Sequence, residues 1–204
     1  MSLVVPALVV LAGVVEGTVA LPRADAVAVK ARYPTAATYE VGAPDPPAAV
    51  VSVEGSFDAD TAKPGAIEIA QSQYQFVPAL AAVRRGTVVR FPNRDDEYHS
   101  VFSYSKPKRF DLGRYHSEET PAELVFEQPG VVKLYCEIHD HMRGMLLVLD
   151  TPYFAKTDPD GRYRIDGVPA GDVVVKAWLE DGTVRERAGR IEPDGRLVVD
   201  FPAE

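Results

Sequence analysis

The chain is short of cysteine, tryptophan, histidine and positive charge, and each shortage removes a class of explanation. A single cysteine, Cys136, forbids an intramolecular disulfide in these 204 residues, so the fold is no bridged scaffold and the thiol's purpose lies in chemistry or packing. The 4 histidines include no His-Glu-x-x-His, and there is no Gly-x-Ser-x-Gly elbow, so the common hydrolase constellations are excluded. Cations number 22 against 30 Asp and Glu, and a formal charge of -8 repels phosphate backbones and anionic lipid, which argues against a nucleic-acid or anionic-membrane partner. Long apolar runs are missing as well. The stretch Leu3 to Val15 is too short to span a bilayer and lacks a basic leader, and it reads as a first buried strand or as the apolar core of an export signal.

What the chain does have is short, Val-rich apolar segments punctuated by 17 Pro and 15 Gly, the texture of an all-β protein of two modest domains. Val14 to Leu21 alternates at strand period and stops at Pro22, and Ala48 to Glu54 is a second strand. Residues between them read as irregular connection, and Asp58 to Gly65 as a linker. From Ala66 about eight strands follow in close succession, enough for a small sandwich. Among them, Gly86 to Phe91 and Gly144 to Leu149 are strands, Lys106 to Pro121 is a polar loop, and Gln128-Pro-Gly130 turns Leu124–Phe126 into a hairpin with Val132–Cys136. Beyond Asp150 a second all-β unit begins, with Trp178 expected in its core. An internal echo, Asp158-Pro-Asp-Gly and Glu192-Pro-Asp-Gly, marks two similar hairpin turns rather than a calcium loop. The boundaries that follow are 1–64, 65–150 and 151–204.

The informative constellation is Cys136-Glu-Ile-His139-Asp-His-Met142, set just after one strand and just before another, with His99 at the end of a separate one. A metal that alternates between Cu(I) and Cu(II) is served by a soft thiolate, two imidazoles and a weak thioether, and Cys136, His99, His139 and Met142 make up that set. Zinc could use the thiolate and the imidazoles, but the thioether favours copper. Met145 competes with Met142 as the thioether, although its place inside the closing strand favours packing. His141 reads as a solvated loop residue, His116 as a surface one, and Glu137 as pointing away from the thiolate.

The run Leu134-Tyr-Cys-Glu-Ile-His-Asp-His-Met-Arg-Gly-Met-Leu-Leu-Val148 resembles the ligand loop of the amicyanins, type 1 copper proteins of the cupredoxin family, and Val88 to Val101 resembles the family's upstream histidine segment. The likeness spans roughly residues 66 to 150. It implies a Greek-key cupredoxin β-sandwich binding one copper ion, with His99, Cys136 and His139 as equatorial ligands and Met142 as the axial one. Two positions depart from the family: Ser100 stands where Asn often follows the upstream histidine, and Asp140 where the amicyanins have proline. Thr151 to Trp178, together with Gly17-Thr-Val and Ala49-Val-Val-Ser-Val, resembles the carboxypeptidase regulatory-like β-sandwich, which implies a second small sandwich built from both chain ends around the copper domain. The implied function is that of a monomeric, non-enzymatic periplasmic or secreted carrier passing single electrons to and from a redox partner protein. The alternative is a copper-binding sensor, tether or store without that duty. A copper oxidase or nitrite reductase would need a further copper, and two of the four histidines are already used.

Overall fold

The structure is a computed structural model that describes residues 12–22, 45–57 and 64–203. The expected strand or signal core at Leu3 to Val15 lies mostly outside the described residues, as do most of the irregular connection and the linker. The described chain is all β, and alternation of β-branched residues drives most of its strands.

Two sandwiches result. In one, β3 (Ala66–Glu68), β7 (Thr87–Phe91) and β10 (Ala122–Phe126) form a sheet of order β10-β7-β3. Facing it is a five-stranded sheet of order β6-β12-β11-β8-β9, built from β6 (Leu80–Arg84), β8 (His99–Ser105), β9 (Lys108–Tyr115), β11 (Gly130–Tyr135) and β12 (Arg143–Leu149). Their shared core includes Ile69, Phe76, Phe91, Val101, Phe126, Val132, Leu134, Cys136, Met142 and Leu146. Fully burying a side chain of this kind contributes about 1.5–3 kcal/mol. A small ribbon of β4 (Ala70–Ser72) and β5 (Gln75–Val77) lies beside it, tied in where Gln71 bridges Asn93.

The other sandwich joins both ends of the described chain. β1 (Ala12–Thr18) lies between β14 (Arg162–Pro169) and β17 (Arg196–Val198), while β2 (Ala49–Gly55) lies between β13 (Phe154–Lys156) and β15 (Gly171–Leu179), with β16 (Val184–Ile191) outermost. Val15, Val51, Val53, Ile165, Val175 and Phe201 meet in its core. A third cluster, Ala48, Val50, Leu80, Met145, Leu147 and Leu149, joins the two sandwiches.

Several expectations change. The polar loop from Lys106 contains strand β9, paired to β8. Phe110 and Leu112 turn inward between exposed Arg109, Asp111 and Gly113, and an edge strand with one charged face reads as loop. β10 and β11 are not a hairpin: β10 pairs with β7, and β11 with β12 and β8, so the Gln128-Pro-Gly130 turn crosses from one sheet to the other. The echoed turns also cross rather than fold back, linking β13 to β14 and β16 to β17, which belong to opposite sheets. Both close on the same bond, with Gly161 N–H donating to Asp158 O at 2.9 Å and Gly195 N–H to Glu192 O at 2.8 Å. Trp178 is half-buried on the joining cluster, and its indole N–H donates to Ser52 Oγ at 3.2 Å.

Candidate metal centre

Three neighbouring strands bring the donors to one end of a sandwich. β8 starts at His99, β11 stops at Tyr135 just before Cys136, and β12 starts at Arg143 just after Met142. Tyr135 is in register with both Phe102 and Arg143, so these strand ends lie side by side and the loop from Cys136 to Met142 closes over them. Two backbone bonds tighten the loop: Met142 N–H donates to His139 O at 2.9 Å and Cys136 N–H to Met142 O at 3.3 Å.

Inside this loop, Cys136 Sγ lies 3.9 Å from His99 Nδ1 and 3.8 Å from His139 Nδ1, and the two nitrogens are 3.1 Å apart. All three residues are buried, with His99 at 0%, Cys136 at 4% and His139 at 8% exposure, so the order of access to solvent is fixed. Donors that each hold a first-row ion at about 2.0–2.3 Å stand about 3–4 Å from one another, which matches this triangle. Met142 is 1% exposed and shares the apolar cluster of Cys136, whereas Met145 packs into the cluster that joins the two sandwiches. The thioether on the site's side is therefore that of Met142. A thiolate, two imidazoles and a thioether make a soft, mixed donor set that suits one copper ion cycling between Cu(I) and Cu(II).

The surroundings orient these donors. Asp95 Oδ2 accepts the Nε2 proton of His99 at 2.8 Å, which turns the ring's Nδ1 toward Cys136. Asp95 is itself fixed by the N–H groups of Gln73 at 2.6 Å and Tyr74 at 2.9 Å, and its own N–H donates to Asn93 Oδ1. Asn93 Nδ2 donates to Glu97 O and Tyr115 O, which shapes the turn that leads into His99. Tyr74 then lays its ring edge-to-face against His99 and His139, at centroid distances of 5.8 and 5.1 Å. Burial pushes the Cys136 thiol up, but hydrogen bonding from His139 and His99 and from the backbone of Ser100 and His139 outweighs it and brings the thiol down to about 5. Burial lowers the pKa of His99, yet its bonds to Cys136 and Asp95 leave it raised above the ordinary 6.5.

The two departures from the family pattern have structural roles here. Ser100 Oγ accepts the N–H of Glu137 at 2.8 Å and lies 4.0 Å from Cys136 Sγ, so it ties β8 to the ligand loop. Asp140 is exposed, and its carbonyl accepts from Arg143 Nε at 3.4 Å. Glu137 does face away from the thiolate, held by Arg114 at 3.0 and 3.1 Å.

Two histidine expectations are corrected. His141 is not a solvated loop residue: it is half-buried, its Nε2–H donates to Tyr74 O at 3.0 Å, and burial lowers its pKa. The Tyr74 turn lies directly above the loop and takes this proton, an arrangement that depends on a segment distant in sequence. His116 is half-buried rather than on the open surface, packed on Tyr98 at 5.1 Å and 3.7 Å from the Asp96 carboxylate. The residues that sequence reasoning missed are Asp95, Tyr74 and Asn93. An Asn-x-Asp turn just ahead of His99 was the available signal for two of them.

No family model matches the chain, and no curated protein matches it. Among solved structures it is similar to a variant of amicyanin in the Cu(I) form, at 21% identity and TM-score 0.38 over 41% of this chain and 82% of that one. It is also similar to a novel purple cupredoxin from Nitrosopumilus maritimus, at 26% identity and TM-score 0.36 over 42% of this chain and 99% of that one. A Cu-containing nitrite reductase from Thermus scotoductus is similar at 22% identity and TM-score 0.40, over 49% of this chain but only 25% of the reductase.

Proposed function

We propose that this chain is a mononuclear type 1 copper protein that passes single electrons between redox partner proteins, outside the cytoplasm, as a monomer and without catalytic turnover of its own. The observation that carries the reading is the buried triangle of Cys136 Sγ, His99 Nδ1 and His139 Nδ1, with edges of 3.1 to 3.9 Å. Copper held there would supply a one-electron couple between Cu(I) and Cu(II). Cys136 serves the site as a thiolate at neutral pH, since its pKa lies at about 5. Asp95 and the Gln73–Tyr74 turn hold His99 in place, so both oxidation states meet the same donors and little has to move between them. His139 is the most exposed of the three donors, which supports its ring edge as the port through which charge leaves or enters.

A non-enzymatic role is supported by the use of the histidines: His141 is engaged with Tyr74 and His116 sits near Asp96, away from a second ligand set. The extracytoplasmic placement is motivated by the apolar run Leu3 to Val15. A regulatory-like identity for the chain-end sandwich is supported by β1 and β2 lying in the same sheets as β14 and β15.

A copper-binding module without electron-transfer duty is the second reading, favoured by the low 8% exposure of His139 beneath Tyr74. Addition of Cu(II) to the metal-free protein separates the two. The carrier reading expects an intense visible thiolate-to-copper band that is absent in Cys136→Ser, bleaches reversibly on reduction and accompanies rapid electron self-exchange. A colourless complex, or a coloured one that exchanges electrons slowly, sinks it.

A further inference from the structure

The five-stranded sheet that supplies the ligands has an outer face divided into two halves. Over β6 and β12 it is covered by the chain-end sandwich, through Leu80, Met145, Leu147 and Leu149. Beyond Val131 of β11, which packs on the joining cluster, no described element covers the rest of β11, β8 and β9, and there the outward residues are mostly aromatic and cationic, with one carboxylate, Asp111, opposite Phe102. Phe102 stacks on Tyr135 at 5.7 Å and meets Tyr104 at 5.3 Å, giving a ladder of three rings that ends in a Tyr104 that is 66% exposed. The guanidinium of Arg109 lies 4.9 Å from the Tyr104 ring centre, and that of Arg143 lies 6.0 Å from the Tyr135 ring centre. Lys133, exposed and two residues before Tyr135 on β11, points to the same side.

Charge pairing sets this face apart. Many exposed arginines elsewhere are neutralised, Arg90 by Glu123, Arg94 by Glu68, Arg114 by Glu137 and Arg190 by Asp172, while Arg187 on the chain-end sandwich lies over Phe201 and donates to the Glu186 carbonyl. Among the described residues, Arg109, Lys133 and Arg143 form no ion pair with a carboxylate, in a chain whose net charge is -8. Exposed Tyr and Arg side by side are the residue types that dominate protein–protein contacts, and Arg stacked on a ring keeps its N–H edge free for a carboxylate. A long polyanion such as nucleic acid is disfavoured by the chain's overall negative field, whereas a compact acidic surface needs only this patch.

We propose that this face docks an acidic protein surface, with Tyr104 and Phe102 as the contact and Arg109, Lys133 and Arg143 pairing the partner's carboxylates. That this partner is a redox protein rests on the carrier reading above. Docking here would set the partner against the outer side chains of β8, which starts at His99, and of β11, which ends just before Cys136.

The test is a titration of the isotopically labelled full chain with an oligo-glutamate peptide, followed by amide chemical shifts and repeated with rising salt. Shifts centred on Phe102, Tyr104, Lys133 and Tyr135 are expected, with affinity falling at least about tenfold in Arg109→Glu with Lys133→Glu. Tyr104→Ala, which keeps every charge, is expected to weaken binding several-fold. Shifts centred elsewhere, or Tyr104→Ala binding as tightly as the parent, would overturn the docking face. Tighter binding of a single-stranded oligonucleotide than of the peptide would overturn the acidic-protein assignment. Both variants carry surface changes, and unchanged circular dichroism confirms their folding. Because the titration needs no copper, the two readings fail separately: a colourless copper complex with intact peptide binding removes only the carrier, and a coloured complex with no peptide binding removes only the docking face.

Discussion

Asp95 and His99 form the bond on which the site's orientation depends: the carboxylate accepts the ring's Nε2 proton at 2.8 Å while two backbone N–H groups from the Gln73–Tyr74 turn hold the carboxylate itself. This charge makes the imidazole a better donor and fixes its tautomer. In Asp95→Asn the geometry of the turn can persist but the negative charge is gone. Copper affinity is expected to fall about 10–100-fold and the reduction potential to rise, because a less basic ring stabilises Cu(II) less. Chelator competition and voltammetry read the two effects. A potential that stays put while the melting temperature falls would reduce Asp95 to a structural strut.

Met142 and Met145 are three residues apart but belong to different clusters, one with Cys136 and one between the sandwiches. Met142→Leu keeps the volume and removes the sulfur, so it should shift the potential and the visible spectrum at a stability cost below about 1.5 kcal/mol. Met145→Leu should leave both spectrum and potential where they are, and Met145→Ala should cost about 2–5 kcal/mol of folding stability. Spectra of the copper-loaded variants beside denaturant melts of the metal-free ones make the comparison. A potential that follows Met145 instead would contradict the placement of these two side chains.

For the metal-free protein, the sign of the pH dependence follows from Cys136. Its thiol falls from an ordinary 9.0 to about 5 in the folded state. Between those values the unfolded chain binds a proton that the folded chain does not. The stabilisation from this group is therefore full above about pH 9, declines as pH falls through the interval and is lost below about pH 5. His99, with its pKa raised above 6.5, contributes with the opposite sign, since its share is full below 6.5 and is lost as pH rises through the folded value. The thiolate's ultraviolet absorbance separates the two: it should persist down to about pH 5 and be absent from Cys136→Ser. A titration midpoint near that of a free thiol would mean that the imidazoles do not stabilise the thiolate.

The donors were legible in the sequence because their spacing is local: Cys136, His139 and Met142 share one tight loop, and alternation alone buries Val132, Leu134 and Cys136 together. What the sequence hid is of longer range. The pairing of β10 with β7 rather than β11 is invisible in the Gln-Pro-Gly turn, because the same turn residues serve a hairpin and a crossing between sheets. Strand β9 was masked by its charged outer side, and Asp95 is one carboxylate in an acidic turn until the Gln73–Tyr74 ribbon closes on it. Gln73 and Tyr74 both adopt positive φ, 51° and 59°, a conformation that non-glycine residues rarely signal in their sequence.

That turn also makes Tyr74 the roof of the site. Its ring lies against both histidines, its N–H donates to Asp95, and its carbonyl accepts from His141, so the roof is pinned from two sides. Tyr74→Ala removes the ring while the backbone bonds can remain. Solvent then reaches His139, and loss of copper to an excess of chelator is expected to quicken by at least about tenfold, a barrier change near 1.4 kcal/mol. Tyr74→Phe keeps the ring and should retain most of the slow exchange. His141→Ala frees one side of the roof without touching the donors, so it should give an intermediate rate. Stopped-flow bleaching of the copper band orders the three variants, and equal rates in Tyr74→Ala and the parent would show that metal escapes by a path that does not pass beneath this ring.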